Sequence, residues 1–88
     1  MPISQPTLTV KVLVFAQLTD RLGLSELTLS LPQGATAGEL VGLMKERHPA
    51  AGPWLDLSRL AVNWEYASPD TELNDGDEAA LIPPVSGG

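Results

Sequence analysis

In this 88-residue chain, the groups best suited to chemistry lie in the last two residues, Gly87 and Gly88. A pair of glycines can adopt backbone angles closed to other residues and can pass through a channel too narrow for side chains. The α-carboxylate of Gly88 is ionised and unreactive at neutral pH, so acyl chemistry there requires activation, for example by adenylation. We therefore expect a partner enzyme to activate and load Gly88. The alternative is a terminus that has no function.

The side chains offer no competing catalytic centre. The chain has no cysteine, which excludes disulfides, thiolate metal sites and a thiol nucleophile, so any sulfur must come from outside. The single histidine, His48, stands at a predicted helix end, where a capping or surface role is expected. Asp75, Asp77 and Glu78 surround a glycine, but they lack the further ligands of a calcium loop, and we expect a solvated turn. The sequence thus predicts no metal site, no bound cofactor and no catalytic side chain.

The charge of the chain narrows the class of partner. The net charge is −6 and only 5 residues are basic, whereas nucleic acids and anionic membranes select clustered Lys and Arg. Neither is therefore an expected partner, and an acidic chain is instead steered toward basic protein surfaces. Residues 1–6 lack the charged and apolar regions of a signal peptide, and no apolar run has the length of a membrane span. A cytoplasmic location is the resulting expectation.

The strands that must position the tail follow from the hydrophobic pattern. The predicted strands cover residues 7–16, 25–31, 60–63 and 78–82, with a further short strand that begins at 66. The first and last of these are the most apolar and are expected to be the most buried. Pro83 and Pro84 end the last strand because neither can donate a ladder hydrogen bond, and they stiffen the exit of the tail.

One long helix is predicted in the middle of the chain. Thr36 and Glu39 have the spacing of a capping box, in which each side chain accepts a hydrogen bond from the backbone N–H of the other residue. The helix should then run to about Arg47 or His48, because the following proline prevents its continuation. Two shorter features are a helical turn at residues 17–22 and a loop at residues 50–58 that is anchored by Trp54, Leu55 and Leu57 and has room for one helical turn.

The order of the elements predicts the architecture. One helix that covers one face of a mixed sheet is the economical arrangement for this order, and it brings the first and last strands together in the middle. We expect an α+β domain at residues 7–84, with a loose leader at residues 1–6 before it and an extended tail at residues 85–88 after it.

The C-terminal segment carries a family resemblance. Residues 74–88, with the sequence NDGDEAALIPPVSGG, resemble the C-terminus of the small subunit of molybdopterin synthase. Residues 11–16 are similar to the first strand of that family, and residues 31–40 to its entry into the helix. The resemblance extends over residues 8–88, although the leader and the loop around Trp54 depart from it. It implies a ubiquitin-like β-grasp fold, with a mixed sheet of four to five strands and one main helix packed on one face.

The resemblance also implies the role of a sulfur carrier in molybdenum cofactor biosynthesis. An adenylating, E1-like enzyme would activate Gly88 with ATP, and a sulfurtransferase would supply the sulfur of a terminal thiocarboxylate. The residues inserted into a partner with this tail would be Pro84, Val85, Ser86 and Gly87. That partner would be the large subunit of molybdopterin synthase, where the sulfur attacks cyclic pyranopterin monophosphate. The chain would then be a sulfur-donor subunit without catalytic side chains of its own.

Docking of that partner would use an exposed apolar patch beside the tail. Phe15, Leu81 and Pro84 are the expected contacts, and the alternative for Phe15 and Leu81 is that they belong to the core. Other functions remain open at this point. They are a sulfur carrier for thiamine synthesis or tRNA thiolation, a ubiquitin-like modifier joined to lysines through Gly88, and an interaction domain with an idle tail.

Overall fold

The computed structural model describes residues 7–83; the leader and residues 84–88 lie outside that range. The strands are β1 (Thr7–Val14), β2 (Glu26–Pro32), β3 (Arg59–Val62), β4 (Glu65–Tyr66) and β5 (Glu78–Ile82). The helices are α1 (Gln17–Leu22), α2 (Ala37–Arg47) and α3 (Gly52–Leu57), and a single 3₁₀ turn, Pro49–Ala51, joins α2 to α3. The division into a leader at residues 1–6, a domain at residues 7–84 and a tail at residues 85–88 stays a prediction.

The strands form one mixed sheet of five, in the order β2-β1-β5-β3-β4. β1 and β2 form an antiparallel pair around α1, and β1 and β5 run parallel. β5 is antiparallel to β3, which pairs with β4. β5 is therefore hydrogen-bonded on both sides, and the expectation that the first and last strands meet in the middle of the sheet is confirmed.

Alternation along the strands decides which face of the sheet is buried. In β1, the side chains of Leu8, Val10, Val12 and Val14 are buried, and those between them are more exposed. The register places Val12 beside Ala79 and Val14 beside Leu81, so β5 adds to the same face. The helices cover this face with buried side chains that include Leu18, Leu40, Met44 and Leu55. The opposite face of the sheet carries no helix in the described residues, which leaves it available for other contacts.

The start of α2 is fixed by the predicted capping box. The backbone N–H of Glu39 donates to Thr36 Oγ1 at 3.3 Å, and the N–H of Thr36 donates to Glu39 Oε1 at 3.3 Å. At the other end, His48 is the C-cap, and its backbone N–H donates to the carbonyl of Met44 at 2.8 Å. Both the capping box and the end of the helix before Pro49 are confirmed.

Two sequence predictions were wrong in detail. The loop predicted at residues 50–58 contains more helix than the one turn that the sequence allowed, because Pro53 sits in the first turn of α3, where its missing N–H costs no hydrogen bond. Leu55 of this helix is buried in the core, and Trp54 packs against it half-buried. The first strand ends at Val14 rather than at Ala16, because Ala16 has a φ of 53° that breaks the extended backbone and leads into α1.

Candidate functional site

The candidate site is the end of β5, since the chain continues from there toward Gly88, the residue that the sequence analysis predicts to be reactive. On one side, the parallel pairing places Leu81 beside Val14, and on the other, the antiparallel pairing places Ile82 opposite Arg59. Pro83 follows and is buried. The predicted tail residues, Pro84, Val85, Ser86, Gly87 and Gly88, lie outside the described residues. The tail is thus joined to a strand that is held by ladder hydrogen bonds on both sides.

The two described residues predicted to contact a partner have different surroundings. Phe15 directly follows β1, one residue after Val14, which pairs with Leu81 near the end of β5. The side chain of Phe15 is 41% exposed, as a docking residue requires. Leu81 is 0% exposed, because it faces the helices with Val14 and Leu60. The interpretation of Leu81 as a docking residue was therefore wrong, and its place in the core follows from the alternation of side chains along β5.

An apolar surface surrounds the exit of the tail on the face of the sheet that the described helices leave uncovered. Cross-strand pairing puts Leu13, Ala80, Ala61 and Tyr66 in one row across β1, β5, β3 and β4. Ile82 lies one step further toward the exit, and Phe15 follows the β1 residue that pairs with Leu81. We call these six residues the open face: Leu13, Phe15, Ala61, Tyr66, Ala80 and Ile82. Ala61 and Ala80 are themselves buried, and Phe15 and Tyr66 are the exposed members of the open face.

Charged side chains bound the open face at both of its ends. Away from the tail, Lys11 Nζ lies 3.8 Å from Glu26 Oε1 and 4.0 Å from Glu78 Oε2. At the tail end, the guanidinium of Arg59 lies over the ring of Tyr66, 4.4 Å from its centroid. Tyr66 is 65% exposed, so this stacked pair stands at the surface. The open face is thus apolar at its centre and carries a cation next to the exit of the tail.

The acidic turn before β5 is a structural element rather than a solvated loop. Asp77 is 8% exposed, and its carboxylate accepts from Asn63 Nδ2 at 2.9 Å and from the backbone N–H of Asn74 at 2.7 Å. Asn63 Oδ1 in turn accepts from the backbone N–H of Glu78 at 3.0 Å. The expectation of a solvated turn was therefore wrong for Asp77. The role of Asn63 was missed altogether, because the sequence does not show that the β3–β4 turn lies against the start of β5.

The remaining acidic and histidine side chains have structural surroundings. Asp75 Oδ1 accepts from the backbone N–H of Thr9 at 2.7 Å, which fastens the turn to β1. His48 caps α2. Within residues 7–83, no group of three or more His, Cys, Asp or Glu side chains has an arrangement that could hold a metal ion. None of the described helices is long and apolar enough to cross a membrane.

Comparison with known sequences places the chain in a family. The sequence model of the ThiS family matches residues 12–88. The molybdopterin synthase sulfur carrier subunit of Chlamydomonas reinhardtii is 40% identical over 81 residues, which cover 90% of this chain and 98% of that protein. The human protein of the same name is 36% identical over 86 residues, which cover 94% of this chain and 98% of the human one.

Comparison with solved structures gives the same fold. A putative molybdopterin converting factor subunit 1 from Pyrococcus furiosus superposes with a TM-score of 0.81 at 34% identity, over 89% of this chain and 99% of that one. The small archaeal modifier protein 1 of H. volcanii superposes with a TM-score of 0.79 at 27% identity, with the same coverage. A chain from the complex of subunits 1 and 2 of the molybdopterin-converting factor of Helicobacter pylori superposes with a TM-score of 0.68 at 26% identity. The superposition covers 92% of this chain and 100% of that one.

These matches agree with the five-stranded mixed sheet and with its single long helix, α2. They also extend over nearly the whole length of each relative. The chain therefore has the ubiquitin-like β-grasp fold and belongs to the ThiS family, alongside the molybdopterin synthase sulfur carrier subunits.

Proposed function

We propose that this chain is the sulfur carrier of a molybdopterin synthase and that the α-carboxylate of Gly88 is its reactive group. One observation carries the proposal. The family match continues from the central strand β5 through to Gly88, and the same relatives are named as sulfur carrier subunits.

The proposed chemistry has two stages. An adenylating enzyme first transfers AMP from ATP to the Gly88 carboxylate and releases pyrophosphate. This step converts an unreactive carboxylate into an acyl group with a good leaving group. The persulfide of a sulfurtransferase then displaces AMP to form an acyl disulfide, and a second thiol of the partner enzymes cleaves the S–S bond, which releases the thiocarboxylate and leaves an enzyme disulfide. The absence of cysteine matters here, because no thiol of the chain can attack the activated acyl group.

The second stage takes place in a complex with the large subunit. The thiocarboxylate is a better nucleophile than the carboxylate, and its sulfur attacks cyclic pyranopterin monophosphate and displaces an oxygen of that substrate, which forms a thioester with Gly88. Water then hydrolyses the thioester, which leaves the sulfur on the substrate and regenerates the Gly88 carboxylate. A sulfur tethered to a docked domain has a high effective concentration at the substrate, which reduces the entropic cost of the reaction. The complex of subunits 1 and 2 in the Helicobacter pylori structure supports this partnership.

The open face is the proposed surface for the large subunit. Phe15 and Tyr66 are exposed beside the exit of the tail, and exposed apolar patches of this kind mark binding surfaces. Aromatic residues at the centre of an interface contribute a large part of its binding free energy. A partner docked here would also contact the end of β5, from which the tail begins, because Ile82 belongs both to the open face and to β5.

Mass spectrometry tests the reactive group directly. The purified chain is incubated with the adenylating enzyme, ATP and a sulfur donor, and we expect a gain of about 16 Da at Gly88, the difference between sulfur and oxygen. The loaded chain, added to the large subunit and cyclic pyranopterin monophosphate, should then yield molybdopterin. An unchanged mass would contradict the proposal, and loading without pterin conversion would favour a carrier for another pathway.

A matched pair of substitutions tests the docking surface. Phe15→Asp places a charge on the open face, whereas Leu57→Asp places one on α3, where Leu57 is 64% exposed. We expect Phe15→Asp to weaken binding of the large subunit at least about tenfold and Leu57→Asp to leave it nearly unchanged. Equal effects of the two substitutions would argue against the open face as the interface.

A second function has a specific observation in its favour. The small archaeal modifier protein 1 of H. volcanii shares the fold at 27% identity, and a modifier would be joined to lysines through the same activated Gly88. Both functions share the adenylation step and differ in the acceptor. Peptide mapping after incubation with ATP and a cell extract would show Gly88 joined to lysine side chains if the chain is a modifier.

A further inference from the structure

We propose that Arg59 is a docking residue that receives a carboxylate of the large subunit. This inference rests on the proposed function and identifies the chemistry of one partner group. Arg59 pairs with Ile82 across β3 and β5, so its side chain leaves the sheet next to the exit of the tail. It is exposed, and it lies on the same side of the sheet as the open face.

Arg59 forms no ion pair with any of residues 7–83. No carboxylate of these residues lies within salt-bridge distance of its guanidinium, and no described acceptor is hydrogen-bonded to it. In contrast, Lys11 is placed between Glu26 and Glu78, and Lys45 pairs with Asp56. At the tail end of the open face, Arg59 is the single described cation, in a chain whose net charge is −6.

Stacking on Tyr66 holds the side chain of Arg59 in an orientation that leaves its guanidinium edge available to a partner. The ring lies 4.4 Å below the guanidinium and occupies one face of it. The in-plane N–H groups remain free to donate, and their fork matches the two oxygens of a carboxylate. An arginine that is already held in place loses less side-chain entropy when it binds. The occupant that fits this arrangement is therefore an Asp or Glu side chain of the docked protein.

A second stacked arginine provides a matched control. The guanidinium of Arg21 lies 5.0 Å from the centroid of the Trp54 ring, on the helical side of the molecule. Arg21→Glu and Arg59→Glu change the net charge by the same amount and each remove one stacked pair. Any effect of overall charge on association is therefore the same in both variants, and only a local contact separates them.

The experiment measures the affinity of the full-length chain for the large subunit from the same organism. We expect Arg59→Glu to weaken binding at least about tenfold, Arg59→Lys to weaken it less, and Arg21→Glu to leave it near the unsubstituted value. Raising the salt concentration should weaken binding of the unsubstituted chain more than binding of Arg59→Leu. Circular dichroism melts show whether each variant is folded.

Several outcomes would overturn the inference. Equal losses in Arg59→Glu and Arg21→Glu would assign the effect to net charge. The series is repeated with a chain whose Gly88 carboxylate is amidated, and loss of the Arg59 effect there would assign the contact to this chain's own carboxylate. If Phe15→Asp weakens binding and Arg59→Glu does not, the inference fails while the proposed function stands. If the unsubstituted chain does not bind the large subunit, both fail.

Discussion

Two glycines of α2 give opposite predictions for the same substitution. Gly42 lies in the interior of the helix, and a Cβ built on it would meet no atom within 4 Å. Gly38 lies in the first turn, and its Cβ would lie 3.2 Å from the carbonyl oxygen of Pro69 and 3.3 Å from Pro69 Cβ. An alanine side chain should therefore fit freely at position 42 and only tightly at position 38.

The expected magnitudes follow from these distances. Gly42→Ala gains the difference in helix propensity and should raise the free energy of unfolding by about 1 kcal/mol, or the midpoint by about 4–8 °C for a domain of this size. Gly38→Ala must displace the loop at Pro69, whose carbonyl also accepts the N–H of Gly38 at 3.0 Å. Overpacking of this kind costs about 1–3 kcal/mol, which offsets or exceeds the gain in propensity.

Urea denaturation and thermal melts of the two variants measure this difference. We expect Gly42→Ala to be more stable than Gly38→Ala by about 2 kcal/mol, with similar m-values for both. Sulfur loading should be unchanged in Gly42→Ala, because α2 packs on the face of the sheet opposite the open face. Equal stabilisation by both substitutions would show that the loop at Pro69 yields without cost, which would refute the packing argument.

Three further predictions concern the tail, the turn and the central strand. Deletion of Gly88, or replacement of Gly87 by Trp, should abolish thiocarboxylate formation in the loading assay and leave the thermal midpoint nearly unchanged, because neither residue belongs to the described core; a loaded, active truncation would contradict this. Asp77→Ala removes the acceptor of Asn63 Nδ2 and of the Asn74 N–H, and it should lower the free energy of unfolding, measured by urea titration, by about 2–4 kcal/mol. A decrease below about 0.5 kcal/mol would show that water replaces the carboxylate. In β5, Leu81→Ala should lower the free energy of unfolding by about 2–5 kcal/mol and Ile82→Ala by clearly less. Of the two folded variants, only Ile82→Ala should weaken binding of the large subunit. If Leu81→Ala weakens binding and Ile82→Ala does not, the interface is not on the open face.

The fold could be predicted from local signals that act within single elements. The alternation of Leu27, Leu29 and Leu31 identified β2, and the spacing of Thr36 and Glu39 identified the start of α2. These signals depend on the periodicity of strands and on the pairing of a cap with its own first turn, so no tertiary information was needed. The order of these elements then predicted the central pairing of the first and last strands, and the family resemblance added the name of the fold.

The errors occurred where a residue's environment depends on distant segments. Leu81 is apolar and lies near the tail, but only the register against β1 and β3 shows that it faces the helices while Ile82 does not. Asn63 becomes a structural residue only because the β3–β4 turn lies against the turn before β5. The stacking of Arg59 on Tyr66 likewise requires β3 and β4 to be paired. Sequence periodicity contains none of this long-range pairing.

The two faces of the sheet divide stability from recognition, and β5 belongs to both. Its residues Ala79 and Leu81 hold the helical face, while Ala80 and Ile82 contribute to the open face. Substitutions on the open face can change which protein docks with little loss of core packing, because the helices contact only the other face. This separation explains physically how carrier subunits and a small archaeal modifier can share one fold. On the proposed function, the surface beside the exit of the tail is the part of the chain that selects the partner.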